Sequence, residues 1–243
     1  MIYFNQESFL FSPTRKANAE SWDFSTPYSE RWFPCEKDSL NAVVMKTDSA
    51  RGTILFFHGN GGNLQSPKGL QEFFSEQQFR FAVYDYPGFG KSSGSIQNQQ
   101  QLCESGERFW KEITRHFPGP YIICGYSIGS GIAAEVAKNH ADSLYKLILL
   151  APYADLSELA GQKVPFYPKW LMSYTIKPAE TLQNFTKPVL LVHGMADGMI
   201  PKSNSIILHK IIPVSTLCVI DSCKHAGFER YDSFRKSVAA FLR

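Results

Sequence analysis

Six short runs of nearly unbroken apolar residues punctuate the chain, at 52–57, 81–84, 121–124, 144–150, 188–192 and 215–220. Runs of this length, bounded by glycine and polar residues, read as strands buried on both faces. The intervening segments 66–78, 97–116, 130–137, 203–211 and 230–242 carry the mixed polar and apolar spacing of amphipathic helices. Strand, loop and helix in repeated alternation predict a mostly parallel sheet with helices on both faces. Residues before 50 break the rhythm with short segments such as 40–45, which read as antiparallel edge strands. Neither repeats nor low-complexity tracts interrupt the chain, and 1–243 is expected to form one domain.

One connection is out of proportion. Residues 152–187, between the fourth and fifth runs, exceed what a simple crossover needs. They are rich in large apolar side chains: Phe166, Tyr167, Trp170, Leu171, Met172 and Tyr174. Two readings stand side by side, an ordinary crossover helix and a small cap insertion whose aromatics roof a pocket at the strand ends.

Composition narrows the field without choosing within it. A net charge of +3 with no long basic run gives no footing for nucleic-acid binding. The apolar runs are far short of a membrane span, and Met1-Ile2-Tyr3-Phe4 passes at once to Asn5-Gln6-Glu7 without the form of a secretory leader. A cytoplasmic enzyme is therefore expected. Cys35, Cys103, Cys124, Cys218 and Cys223 are odd in number and form no C-x-x-C pair, which argues against both a zinc site and a disulfide framework. Cys223 is the one with an alternative, a thiol nucleophile beside His225.

Chemistry enters at Gly125-Tyr126-Ser127-Ile128-Gly129, a G-x-S-x-G between a predicted strand and a predicted helix. A serine on so sharp a turn is held in a strained conformation that lifts its hydroxyl above the sheet edge. The glycines leave room for neighbouring backbone, and the helix start aims free N–H groups at the place where an oxyanion forms. A serine hydroxyl needs a histidine to take its proton and a carboxylate to hold that imidazole. Asp197 follows the fifth strand and His225 the sixth, so the order along the chain is Ser, Asp, His, each past the end of a successive strand. Asp155, past the fourth strand, is the competing carboxylate, and Asp221 reads as a turn cap. His58 and His193 stand at strand ends before glycines and read as structural, binding loop carbonyls beneath the site. His116, His140 and His209 read as solvent-facing. The glycine-rich stretch Phe57-His58-Gly59-Asn60-Gly61-Gly62-Asn63 has neither the lysine of a P-loop nor G-x-G-x-x-G spacing. It reads as the second half of an oxyanion hole, pairing the Ile128 N–H with that of Asn60 or, failing that, Gly61.

Five ordered motifs carry a resemblance: 58–62, Asp85-Tyr86-Pro87-Gly88-Phe89-Gly90-Lys91-Ser92-Ser93-Gly94, 125–129, 193–201 and the surroundings of His225. From about residue 40 onward the chain resembles the α/β-hydrolases. The likeness is to the small-cap serine hydrolase branch that includes serine aminopeptidase-like, monoacylglycerol-lipase-like and depalmitoylase-like enzymes. The resemblance implies the α/β-hydrolase fold, with the cap between the sixth and seventh strands of the family's numbering. It also implies that the turn at 85–94 shapes the site without entering the chemistry. The chain departs from the family at 221–224, where Asp221-Ser222-Cys223-Lys224 replaces the usual glycines.

The expected activity is two-step acyl transfer on a carboxylic ester or thioester. Ser127 is nucleophile, His225 base and acid, Asp197 its orienting carboxylate, and Asn60 and Ile128 the oxyanion donors. The partner is a small-molecule or lipid-like acyl substrate, and no cofactor or metal is needed. An aminopeptidase or amidase is the alternative enzyme, with Glu158 the sole candidate for holding a free amine. A non-catalytic binding protein of the same fold is the alternative of another class.

Overall fold

The computed structural model describes residues 6–163 and 171–243. In chain order the elements are α1 (Gln6–Leu10), β1 (Ser12–Pro13), β2 (Tyr28–Cys35), β3 (Asp38–Met45), β4 (Thr53–Phe57), β5 (Gly61–Gly62), α2 (Lys68–Glu76), β6 (Arg80–Tyr84), α3 (Gln99–His116), β7 (Tyr121–Tyr126), α4 (Gly129–Asn139), β8 (Leu144–Leu150), α5 (Leu156–Lys163), α6 (Pro178–Leu182), β9 (Val189–Gly194), α7 (Ser203–Ile211), β10 (Ser215–Ile220) and α8 (Asp232–Phe241).

Eight strands form one sheet in the order β10-β9-β8-β7-β4-β6-β3-β2. The six strands from β10 to β6 run parallel, and β3 and β2 add an antiparallel margin. This is the α/β-hydrolase fold. Both faces of the sheet are dry at its centre, because successive side chains of a strand point to opposite faces and both sets are apolar there. In β4, Leu55 and Phe57 pack with Phe109 of α3 and Ile132 of α4, while Ile54 and Phe56 pack with Phe73 of α2 and Phe234 of α8. Helix α3 illustrates the local rules. The Asn98 side chain accepts the Gln101 N–H at 2.8 Å and starts it, Leu102, Phe109 and Ile113 bury one stripe, and Pro118 follows its end.

Strand β4 is followed on one side by β6 and on the other by β7, so the loops leaving β4 and β7 diverge over a crevice at the carboxyl ends. Ligands of open α/β sheets bind at such a switch point. The loop after β4 carries Asn60, and the turn after β7 carries Ser127.

The start of the chain differs from expectation. Segment 40–45 belongs to β3, which is buried at every position but Ser39, because it lies between β2 and β6 instead of at an edge. Further upstream β1 pairs in parallel with β5, so residues 6–15 form a strap over the loop that carries Asn60. The Ser12 N–H donates to the Asn60 carbonyl at 2.8 Å and the Thr14 N–H to that of Gly62 at 2.7 Å. The strap also grips the far connection: Gln6 Nε2 donates to the Leu171 carbonyl at 2.8 Å, and the Tyr174 hydroxyl donates to Glu7 at 2.9 Å.

Within 152–187, helices α5 and α6 are described, and Phe166, Tyr167 and Trp170 lie outside the described residues. Tyr174 does not roof a pocket. It is buried, with its ring edge-on to Phe11 at 5.8 Å. No helix among the described residues is long and apolar enough to cross a membrane.

Candidate active site

Ser127 stands between β7 and α4 with φ +54°, in the left-handed region that a side chain rarely adopts. Its own N–H, bonded to the Leu150 carbonyl at 2.9 Å, ties the turn to the end of β8. A side chain at Gly129 would drive into the carbonyl oxygens of Phe57 and His58, so this glycine lets the elbow close against the loop that carries Asn60.

The structure brings Ser127, His225 and Asp197 into one hydrogen-bonded line. Ser127 Oγ lies 3.0 Å from His225 Nε2, and His225 Nδ1 lies 2.7 Å from Asp197 Oδ2. The other carboxylate oxygen accepts the Met199 and Ile200 N–H groups at 2.8 and 3.0 Å. Burial works to raise the Asp197 pKa, but hydrogen bonds from His193, His225 and the Ile200 backbone outweigh it and hold the carboxyl well below the usual range. The imidazole is therefore faced by a carboxylate, the arrangement that fixes its tautomer with Nε2 free to accept from a hydroxyl.

The loops bearing Asp197 and His225 are bound to each other. The Ala196 N–H donates to the Cys223 carbonyl at 2.9 Å, and a side chain at Gly194 would meet the carbonyls of Cys223 and Lys224. Where the family has glycines, Ser222 supplies the left-handed residue with φ +61°. Tyr126, beside the serine, donates its hydroxyl to the His225 carbonyl at 3.2 Å. No sequence signal distinguished that tyrosine from an ordinary wedge residue of the motif.

Each rival residue is engaged elsewhere. Asp155 caps α5, accepting the Ser157 and Glu158 N–H groups at 2.8 and 3.1 Å. Asp221 is exposed past the end of β10. Cys223 is buried and its thiol is pushed up to about 11 by that burial, which leaves no thiolate. His193 donates between the Ile200 carbonyl at 2.8 Å and the Asp197 carboxylate at 3.4 Å, a second contact beyond the loop carbonyl expected of it. His140 corrects the solvent-facing reading: it is half-buried, stacked on Trp110 at 4.6 Å and bonded to Glu107 at 2.7 Å. Among the described residues no group of three or more His, Cys, Asp and Glu is arranged to hold a metal ion.

Two cavities adjoin at Asn60 and Met199, and the smaller of them reaches the serine. The smaller, of about 350 Å³, is lined by Ser127, Ile128 and Asn60 together with Phe9, Leu156 and Leu159. The larger, of about 750 Å³, is lined by His225 and Tyr126 together with Gly61, Lys68, Glu72 and Glu229. Asn60 and Met199 line both. Gly61 reaches only the larger one, on the side away from Ser127 and Ile128. Phe9 and Leu10 were not anticipated as site residues, since nothing in the sequence linked α1 to the serine.

Fold and site together define an α/β-hydrolase of the serine-hydrolase branch. More particularly, the chain belongs to the family described as Serine aminopeptidase, S33, whose model matches residues 48–182. The match takes in Asn60, Ser127 and Ile128 and stops before Asp197 and His225. Among curated relatives, the Uncharacterized protein YfhR of Escherichia coli (strain K12) is 27% identical over 242 residues, covering 93% of this chain and 81% of its own. The human Alpha/beta hydrolase domain-containing protein 17B is 26% identical over 241 residues, covering 88% of this chain and 78% of its own. Among solved structures the fold is similar to Pyrococcus furiosus esterase Pf2001, with a TM-score of 0.76 at 17% identity, covering 95% of this chain and 98% of that one. It is similar also to Butyrivibrio proteoclasticus Est1E, solved with ferulic acid, at a TM-score of 0.71 and 20% identity, covering 87% and 96%. The protein is thus a hydrolase of the α/β fold.

Proposed function

We propose that the protein is a serine esterase or thioesterase acting through an acyl-enzyme on substrates with an apolar acyl or aryl group. The observation that carries this reading is the Ser127–His225–Asp197 line, with spacings of 3.0 and 2.7 Å. His225 Nε2 takes the Ser127 proton as Oγ attacks the carbonyl carbon, and Asp197 stabilises the imidazolium that forms. The Asn60 and Ile128 N–H groups, beside the serine in the smaller cavity, receive the developing oxyanion. His225 then hands the proton to the leaving oxygen or sulfur, and a water that it deprotonates releases the acid and frees Ser127.

The two cavities divide the substrate. A leaving group must lie where His225 can protonate it, which is the larger cavity, and the acyl group takes the smaller one beside Ser127. The smaller cavity is walled by Phe9, Leu10, Leu156 and Leu159, and no carboxylate lines it among the described residues. That favours an apolar acyl group over an aminoacyl group with a free amine. The family's name keeps the aminopeptidase as a second reading, but Glu158 is exposed on α5 and is not part of the cavity wall.

The test is fluorophosphonate labelling of the purified protein beside Ser127→Ala, followed by p-nitrophenyl esters of increasing chain length and aminoacyl p-nitroanilides. Stoichiometric labelling lost in the variant, with esters cleaved faster than anilides, is the expected result. A folded wild type that resists labelling would replace this reading with that of a binding protein. Anilides cleaved faster than esters would replace it with the aminopeptidase.

A further inference from the structure

Directly beneath the oxyanion loop lies a pair of titratable side chains that the mechanism above does not use. His58 ends β4 and Asp85 follows β6, and both are fully enclosed, with 1% and 0% of their side chains exposed. Their nearest approach, His58 Nε2 to Asp85 Oδ1, is 3.8 Å, too long for a hydrogen bond. Among the described residues His58 Nε2 and Asp85 Oδ2 have no hydrogen-bond partner at all. Buried orphans of this kind are rare and call for an explanation.

The other ring nitrogen supplies one. His58 Nδ1 lies 2.8 Å from the carbonyl oxygen of Gly59. A carbonyl only accepts, so Nδ1 carries the proton. The Gly59 carbonyl belongs to the same planar peptide unit as the Asn60 N–H, and planarity means that to hold one is to aim the other. Burial pushes the His58 pKa down to about 4, against the pull of its bond to Gly59, and pushes Asp85 up to about 8, against the hydrogen bond that Asp85 Oδ1 accepts from the Leu64 N–H at 2.6 Å. Near neutral pH the pair is uncharged on both sides. Uncharged imidazole on Nδ1–H leaves Nε2 as a bare lone pair, and a protonated Asp85 is the form of that carboxyl that does not repel it. The remaining neighbours lock the ring. Tyr86 stacks on His58 at 4.1 Å and donates its hydroxyl to the His58 carbonyl at 2.7 Å, and Phe89 closes a further side at 5.3 Å.

We propose that His58 is a positioning residue for the oxyanion hole, setting the direction of the Asn60 N–H through the Gly59 carbonyl, with the enclosed Asp85 carboxyl as the wall behind its ring. This assignment rests on the acyl-transfer reading above. It differs from a merely structural role in one respect: only the hydrogen-bond donor at the Nδ1 position matters for the transition state, whereas ring volume matters for folding.

The variants His58→Asn, His58→Leu and Asp85→Asn in the full chain separate the two. At position 58, asparagine returns a donor to the Nδ1 position without the ring, and leucine returns bulk without the donor. In Asp85→Asn the amide reproduces a protonated carboxyl. Thermal midpoints, fluorophosphonate labelling rates, kcat and KM for one p-nitrophenyl ester are read for each. His58→Leu should lose on the order of 100-fold in kcat and labelling rate with KM nearly unchanged, as for removal of one oxyanion donor. His58→Asn and Asp85→Asn should stay within about tenfold of wild type, a small part of that donor's effect. Should His58→Leu fail to fold, His58→Gln, whose amide reaches the Nε2 position instead, replaces it with the same expectation. Equal losses in the asparagine and leucine variants of His58, or a loss confined to KM, would overturn the assignment. A large loss of kcat in Asp85→Asn would overturn the role of Asp85 as an uncharged wall. These outcomes presuppose a wild type that labels; a wild type that does not label strikes the functional reading itself.

Discussion

The turn at Ser127 and the loop at Asn60 face each other across the same cavity, yet they are held in place by opposite means. The serine turn is built from what is adjacent to it in sequence: the end of β7, the start of α4, a left-handed φ and a glycine on each side. The Asn60 loop, the proposed oxyanion site, is built from what is distant. Its carbonyls are taken by Ser12 and Thr14 from the strap, and its underside rests on Asp85, Tyr86 and Phe89 beyond β6. A strained turn can be specified locally because the sheet and helix on either side dictate its dihedral angles. A glycine-rich loop with few side chains of its own must be positioned largely by others.

The sharpest break in this comparison is Gly129→Ala, which pushes a methyl group into the Phe57 and His58 carbonyls where the two regions touch. Activity on a p-nitrophenyl ester should fall by about 1,000-fold, the upper end of what one oxyanion donor contributes, and the thermal midpoint should fall with it. Ser12→Pro removes only the N–H that holds the Asn60 carbonyl. It should lower kcat by roughly tenfold while leaving the circular dichroism spectrum and thermal midpoint close to wild type, a partial loss of oxyanion geometry.

The pair beneath the loop has a pH signature whose sign can be worked out. Asp85 is raised from 3.8 to about 8, so the folded state holds a proton there that the unfolded chain has released. That contribution is complete below the ordinary carboxylate range and is lost as pH rises through about 8. His58, lowered from 6.5 to about 4, acts the other way: stability is lost as pH falls through that interval. The nearest charged group of the same turn, Lys91, is neutralised by Glu30 at 2.7 Å and does not reverse either sign. Asp85→Asn should therefore gain in urea midpoint relative to wild type between about pH 5 and about pH 8. A constant difference across that range would mean that Asp85 is already ionised. The smallest effect belongs to Phe9→Ala, which opens the strap side of the acyl cavity. It should shift the preferred p-nitrophenyl ester toward longer chains with a change of only about threefold in kcat/KM, less than one methylene is worth in an enclosed apolar pocket, because Phe9 is half exposed.

The same contrast explains what could be read from the chain alone. Helix α7 and strands β8 and β10 coincide with the expected 203–211, 144–150 and 215–220, and the remaining parallel strands and expected helices differ by a few terminal residues, because each is long enough to display its own periodicity. Ser127, Asp197 and His225 were legible from their order behind the strands now numbered β7, β9 and β10, and the structure sets them within hydrogen-bonding distance. What was not legible depends on pairing between distant short segments. Ser12 and Pro13 are exposed and too few to show a pattern, so nothing marked them as a strand against Gly61 and Gly62. Segment 40–45 suggested an edge because it opens the sheet in sequence, whereas β2 lies outside it in space. Tyr126 fills the variable place of its motif, and its bond to the His225 carbonyl joins loops that leave different strands and lie far apart in sequence.

The strap lies outside the eight-stranded sheet while forming a wall of the smaller cavity beside Ser127 and a brace for the loop that carries Asn60. Residues 6–15 are therefore a place where substrate preference and turnover can be retuned by exchanging a short peptide, provided that Phe11, buried in the core against Tyr174 and Phe89, is kept. Chimaeras that graft this segment between relatives would move chain-length selectivity as a portable trait, and a bulky tag fused just upstream of it would act on the enzyme's kinetics where the same tag after α8 would not.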